Sequence, residues 1–532
     1  MITDTDTPGD DPEAPAPPAA RVPTRTPPPK RPASSADKAI AAVLLGLLAI
    51  GFLVSAWPRI TGPIGDSDEG INAAVWGFDS RALRELGPVE SRFGGVRTDG
   101  TKYATHPPLI VAEAALIERV VGEHPWSTRA AAWLGTLVAI GLLFGILREL
   151  GLSPPVAAAA TVATGASHML FVYGAMLDTM ITAFPFALAV AWIWYRQWIG
   201  RTTPRAPVIL LLATLACLGG WQATFMVALC GLATLARVRH DRAAVGRALP
   251  YLVGAVIGVA LTIAWGLWVY GSLSVLGDKL IRRTGGEDAS IAKMIDFQLP
   301  WLGQLLGVGF LAWAACAVSL RDRRYRPLAA LSLVSVIVYA LVLKEGSGGH
   351  QYWNYWGLFP AAIGMGYAFG ALARATRRRM RRRPLAATVA VLVAMVLVVA
   401  VNLSRPNQAA DLIRAGYASY DLVASTPLAP GQGELTYVAE PNRIDDWIRY
   451  RGAPAVRPLL SADELRALAR DHPEDTVLVL GTCARPDPTG ICVQLTGSSS
   501  NDEAVPPRLV TAAELARQLD GGSSASGGSG GG

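Results

Sequence analysis

Two carboxylates stand side by side at Asp68 and Glu69, just after a third at Asp66. A run downstream, Lys102-Tyr103-Ala104-Thr105-His106-Pro107-Pro108-Leu109, puts an amine, a phenol and an imidazole within a few residues of one another. Paired carboxylates suit a general base, because neighbours can keep one ionised and hydrogen-bonded while it takes a proton from a hydroxyl. Asp178 is a further isolated acid. Lys279, Arg282, Arg283 and Lys344 form a basic set, with Lys279 and Arg283 at helical i, i+4 spacing. Guanidinium forks and lysine point charges both suit a phosphate. His350 and Tyr352 complete the candidates. These residues are scattered through the chain, so a larger architecture must gather them.

Composition indicates that architecture. Of 532 residues, 51% are hydrophobic and only 17% charged, which points to a mainly α, polytopic membrane protein in the lipid bilayer. Repeated apolar runs approach the length needed to cross a hydrocarbon core of about 30 Å, and about eleven spans are predicted. Residues 1–38, rich in Pro and Ala and then basic, are expected to be disordered and cytoplasmic, and Ala39–Trp57 an uncleaved first span running outward. Arginines at 237–242, 321–326 and 377–383 then mark the cytoplasmic side. Leu109–Val121, interrupted by Glu113, Glu118 and Arg119, is predicted to lie in the interface. Counting it as a span would put the arginine clusters outside. On this topology the membrane domain covers 39–402, its first outer loop 58–128, and all the candidate residues share the extracytoplasmic face of the cell membrane.

Residues 403–520 are expected to form a small extracytoplasmic α/β domain. It has strand-like alternation at Leu435–Glu440, Thr476–Leu480 and Cys492–Leu495, and helix caps at Ser461 with Glu464 and Thr511 with Glu514. Residues 521–532 read as a Gly/Ser-rich flexible tail. Cys483 and Cys492 flank a turn in this oxidising setting and are a disulfide candidate, two free thiols being the alternative.

The acidic pair Asp68-Glu69, the 102–109 run and Gly174-Ala175-Met176-Leu177-Asp178, taken in that order and on one membrane side, resemble the GT-C glycosyltransferases. The protein O-mannosyltransferases and lipid A aminoarabinose transferases are the families most similar, over roughly Ala39–Ala373. The resemblance implies transfer of a sugar, with inversion, from a polyprenyl-phosphate donor to an extracytoplasmic glycan, glycolipid or protein. It implies Asp68 as base or acceptor-orienting group, Glu69 as its acidic neighbour and Asp178 as an acid of the cavity. It also implies phosphate or donor binding by Lys102, Tyr103, His106, Lys279, Arg282, Arg283, Lys344, His350 and Tyr352. His106 stands where the aminoarabinose enzymes carry a lysine. No cofactor is specified; Asp68 and His106 are the candidate ligands for a divalent metal, though not at the spacing of a dedicated site.

Simpler readings exist for several of these residues. The acidic cluster would stabilise a helix N-terminus, Asp178 would cap a helix starting at Thr179, His168 would be a core histidine, and Trp353, Tyr355 and Trp356 would be interfacial anchors. A transporter or flippase of lipid-linked sugars is the alternative function. The arginine run at 377–383 abuts spans on both sides, which argues against nucleic-acid binding.

Overall fold

The computed structural model describes residues 34–525 apart from 66, 240, 285–289, 381–382, 384, 416, 418–434, 439–449, 451–455, 459–461 and 480–507. Asp66, Ser461, Cys483, Cys492 and the strand expected at Cys492–Leu495 therefore lie outside the described residues.

The fold is mainly helical. Ser34 caps the first helix, Ser35–Thr61, accepting a hydrogen bond from the Asp37 N–H at 3.1 Å. Its 27 residues reach ~40 Å, ample for a bilayer. Among the described residues five helices are long and apolar enough to cross: Ser35–Thr61, Ala130–Glu149, Ala244–Tyr270, Gln351–Arg379 and Ala386–Leu403. A sixth is counted if Ile291–Leu306 and Val308–Ser319, bent by 102°, make one span. This is fewer than the eleven expected, because many apolar runs are broken. Ala206–Gly219 and Trp221–Leu235 are separate short helices meeting at Gly220, Arg326–Val342 is also short, and the run from Val156 divides into Pro154–Gly165 and His168–Tyr173.

Asn402, buried near the end of the last apolar helix, ties two of these breaks together. Its Nδ2 donates to the Ala166 carbonyl at 3.0 Å and its Oδ1 accepts from the Val308 N–H at 2.9 Å. Each contact satisfies a backbone group that its helix end leaves open. Gly307, at the bend, has φ +57°, and a Cβ there would lie 2.3 Å from Asn402 Oδ1, so both backbone conformation and space call for glycine.

Burial separates core from periphery. Gln351–Arg379 has 78% of its apolar window buried and runs through the middle; the first and last apolar helices, at 22%, lie at the edge. The segment Gln351–Gly357 of the central element is a 3₁₀ helix whose seven residues are all buried. Trp353, Tyr355 and Trp356 are thus core residues and not interfacial anchors. His168 is also in the core, its Nε2 3.2 Å from the Arg405 carbonyl.

Between the first helix and Ala130, the helix Asp68–Glu85 packs against Leu109–Val121 through Ala73, Ala74, Trp76, Phe78, Ile110, Val111 and Ala114. Its ionic groups are paired internally: Asp79 with Arg97 at 2.6 Å, Glu118 with Arg84 at 3.1 Å and Glu123 with Arg81 at 2.5 Å.

Beyond Asn402 the described residues include β1 (Leu435–Val438), β2 (Val456–Pro458), β3 (Thr476–Val479) and β4 (Arg508–Thr511). The sheet order is β2-β1-β3-β4, parallel between β2, β1 and β3 and antiparallel between β3 and β4. Helices Ala462–Asp471 and Ala512–Ala525 pack on it through Leu465, Val477, Val479 and Leu515. Thr511 Oγ1 caps the latter, accepting from the Glu514 N–H at 3.2 Å, and the helix runs on past Gly521, where a flexible tail was expected to begin.

Candidate active site

Asp68 is the first residue of its helix. Ser67 precedes it with extended backbone, its Oγ 3.5 Å from the Gly70 N–H, so a serine cap followed by two acids sets the start. Gly70 must be glycine, since a Cβ would lie 1.9 Å from the Gly65 carbonyl oxygen. Asp68, Asn72 and Trp76, at i, i+4 and i+8, make one stripe along this helix.

The 3₁₀ segment faces the start of that stripe. Gln351 Nε2 donates to Asp68 Oδ2 at 3.0 Å, and Asn72 Nδ2 donates both to the Asp68 carbonyl at 2.7 Å and to the Tyr352 hydroxyl at 3.3 Å. Tyr352 is buried, its ring 6.0 Å from that of Tyr173 and 5.1 Å from that of His350. The same segment is bolted elsewhere: Trp356 Nε1 donates to the Met180 carbonyl at 2.9 Å, the Tyr355 hydroxyl lies 2.8 Å from Thr136 Oγ1, and Asn354 donates to Gln298. The Asp68 carboxylate is therefore oriented by an amide on a packed support. That arrangement suits a base that must meet an incoming hydroxyl in one geometry.

Glu69 points elsewhere. It is 1% exposed and held by both Nε and Nη2 of Arg129, which also donates to the carbonyls of Gly62 and Pro63 at 3.0 and 3.2 Å. This buried bidentate pair fastens the loop entry to the next apolar helix. Asp178 is the N-cap of Thr179–Trp198, accepting from the Met180 N–H at 2.8 Å. It is buried beside Leu177, which belongs to the same apolar cluster as Trp76.

His106 sits in an aromatic triangle, its ring 5.8 Å from Trp76 and 6.3 Å from Tyr103, with Trp76 and Tyr103 5.6 Å apart. Arg97 lies over the Tyr103 ring at 5.5 Å. Lys102 is exposed and bridges to Val96, so the structure does not bring it to Asp68. Lys279 is exposed with its Nζ 5.3 Å from the Tyr270 ring centroid. Arg282 and Arg283 belong to the same helix, Leu273–Thr284, which packs beside the short helix Lys344–Gly349 that Lys344 begins. The helix that carries these basic positions thus packs beside the short helix leading into His350 and Gln351. Among the described residues no group of three or more His, Cys, Asp or Glu could hold a metal ion. Asp68 and His106 are engaged with separate partners, Gln351 and the aromatic triangle, and no step is assigned to a metal.

Residues 105–268 match the family model for dolichyl-phosphate-mannose-protein mannosyltransferase. ArnT from Cupriavidus metallidurans in the apo state superposes with a TM-score of 0.57 at 15% identity, over 91% of this chain and 99% of that one. The same protein bound to undecaprenyl phosphate gives 0.56 at 15%, over 90% and 99%. The fold is therefore shared with ArnT. The oligosaccharyltransferase of Archaeoglobus fulgidus, in complex with Zn and sulfate, is also similar, with a TM-score of 0.52 at 13% identity over 83% of this chain and 67% of that one. No curated protein matches the chain in sequence.

Within this ArnT-like fold, several site residues escape a reading of the sequence. Gln351 and Asn72 are neutral amides in unremarkable contexts, and Gln351 lies 283 positions from the carboxylate it holds. The QYWNYWG run carried an aromatic signal that fits membrane anchors and a packed core equally well. The ion pairs Asp79–Arg97, Glu118–Arg84 and Glu123–Arg81 join residues too far apart for any spacing rule.

Proposed function

We propose that this chain transfers a sugar from a polyprenyl-phosphate carrier to a hydroxyl of an extracytoplasmic glycan, glycolipid or protein, with inversion at the anomeric carbon. The observation that carries the reading is the Asp68 carboxylate at a helix start, oriented by Gln351 from the buried 3₁₀ segment. The family match and the ArnT-like fold support the donor class. In the reaction, Asp68 takes the acceptor proton, the acceptor oxygen forms its bond to the anomeric carbon, and the bond from that carbon to the phosphate oxygen breaks. Lys344, Lys279, Arg282 and Arg283 supply fixed positive charge where the leaving phosphate gains negative charge, an arrangement that lowers barriers by electrostatic preorganisation. Asp178, Tyr352, His350 and His106 are assigned to the surroundings of the donor.

The reading includes about eleven membrane passes, counting short and broken helices together. It places the amino terminus in the cytoplasm and residues 403–520 outside as an α/β domain. Donor turnover tests it. Purified protein and its Asp68→Asn variant are given radiolabelled polyprenyl-phosphate sugars with a cell-envelope extract. Transfer by the unmutated chain, reduced in Asp68→Asn by roughly 10²–10⁴-fold, is expected for loss of a general base. Equal transfer by both proteins refutes the role of Asp68; absence of donor binding in folded protein refutes the enzyme and favours a transporter.

A further inference from the structure

The far end of the Asp68 stripe holds a set of polar atoms that the protein leaves unused. Trp76 Nε1, Tyr103 Oη, Thr105 Oγ1 and Gln222 Oε1 are each buried with no hydrogen-bond partner among the described residues. Leaving such a group unsatisfied disfavours the folded state, and folded proteins pair the large majority. Four in one region call for a ligand that completes them.

The four belong together. Trp76 and Tyr103 are ring neighbours at 5.6 Å, and Thr105 lies between Tyr103 and its other ring neighbour, His106. Trp221 Nε1 donates to the Thr105 carbonyl at 3.2 Å, fixing the first turn of Trp221–Leu235 against this segment and bringing Gln222 with it. Gln222 Oε1 and the Thr179 carbonyl oxygen each lie 3.0 Å from where a Cβ of Gly220 would stand, which puts the amide beside the start of the Asp178-capped helix.

We propose that Trp76, Tyr103, Thr105 and Gln222 form the subsite for the donor's sugar ring, and that this ring is an uncharged hexose or pentose, not an amino or acidic sugar. The inference rests on the transfer reaction proposed above. The set offers one N–H donor, two hydroxyls that donate or accept, and one carbonyl acceptor, all neutral, beside aromatic rings. Sugar hydroxyls both donate and accept, and sugar C–H faces lie against aromatic rings. The acids of this region are already engaged: Asp79 pairs with Arg97, and Asp178 caps its helix. Trp76 is eight residues from Asp68, about 12 Å along the helix axis. That interval accommodates the acceptor oxygen, the anomeric carbon and one sugar ring in line.

The test measures binding to full-length protein in lipid nanodiscs. The probes are bare polyprenyl phosphate and the same lipid carrying a neutral hexose, a neutral pentose, an amino sugar or a uronic acid. A neutral-sugar donor is expected to bind at least tenfold more tightly than bare carrier, and the charged-sugar donors no better than bare carrier. Gln222→Leu, Thr105→Val and Trp76→Phe, each with a melting transition like the parent's, are expected to erase that tenfold while leaving bare-carrier affinity unchanged. A preference for the amino or acidic sugar, or a neutral-sugar preference that survives all three substitutions, overturns the subsite. If bare carrier and every donor fail to bind, the transfer reading falls, and the subsite with it. Carrier binding with no gain from any sugar removes the subsite alone.

Discussion

Glu69 and Asp68 are adjacent in sequence yet meet opposite surroundings, and the difference is set by what the fold aims at each. Asp68 meets a neutral amide, whereas Glu69 is sealed against Arg129. Removing one partner of such a buried pair leaves an uncompensated charge and costs about 3–5 kcal/mol. Arg129→Met is therefore expected to lower the melting temperature sharply, and Arg129→Met with Glu69→Gln to recover much of the loss, as a double-mutant thermal melt would show. Gln351→Leu removes one hydrogen bond to a charged group, worth roughly 1.5–3 kcal/mol, and so lowers kcat by roughly 10- to 100-fold with the melting temperature little changed. Glu113 provides a pH test. Burial pushes its carboxyl up to about 8. The unfolded chain titrates near the ordinary value of about 4.3, so the group favours folding fully below that value and progressively loses this contribution as pH rises toward 8. Thermal melts of Glu113→Gln should match the parent in acid, exceed it increasingly from about pH 4.3 to about 8 and keep a constant lead above that. Asp68 was legible because two adjacent acids after a serine stand out; its distinction from Glu69 was not, since Arg129 is 60 positions away.

At the scale of elements, the segment between the first two long apolar helices and the tail share one ionic knot. Tyr450 donates its hydroxyl to Glu123 Oε1 at 3.0 Å, and its carbonyl accepts from Arg81, whose guanidinium sits 4.4 Å over the Tyr450 ring. Tyr437 and Leu478 join the apolar cluster containing Trp76 and Phe78. The tail thus rests on the helix that Asp68 begins. Burial pulls the Glu123 carboxyl upward, but Arg81, Tyr450 and Arg84 together outweigh this and hold it below the usual range. That contribution to stability exists above the ordinary carboxylate pKa and is lost as pH falls through the depressed one. Tyr450→Phe is expected to weaken tail docking by about 1.5–3 kcal/mol, seen as faster proteolysis after Asn402. Helix positions such as Leu109–Val121 and the break at Gly219-Gly220 were legible from charge interruption and glycine. The buried 3₁₀ segment was not, because aromatic composition does not tell which solvent the rings face.

For the whole molecule, hydropathy disclosed a membrane protein but not which spans are single long helices, since a window of apolar residues does not register a break whose backbone groups are satisfied by a distant side chain. The topology is open to direct test. Single cysteines replacing Arg205 and Arg323 are expected to react only with membrane-permeant thiol reagents in intact cells, and those replacing Asp99 and Lys279 with impermeant ones; a reversed pattern would invert the assignment. The Asn402 amide also bears on biosynthesis. As the chain emerges from the ribosome, the Ala166 carbonyl and the Val308 N–H are made long before the residue that completes them. Until the last apolar helix arrives, two backbone groups at helix ends lack the side chain that satisfies them. The nascent protein therefore finishes its interior with its final membrane segment, and a ribosome stalled before position 402 would leave a chain that the cell's quality control should treat as unfolded.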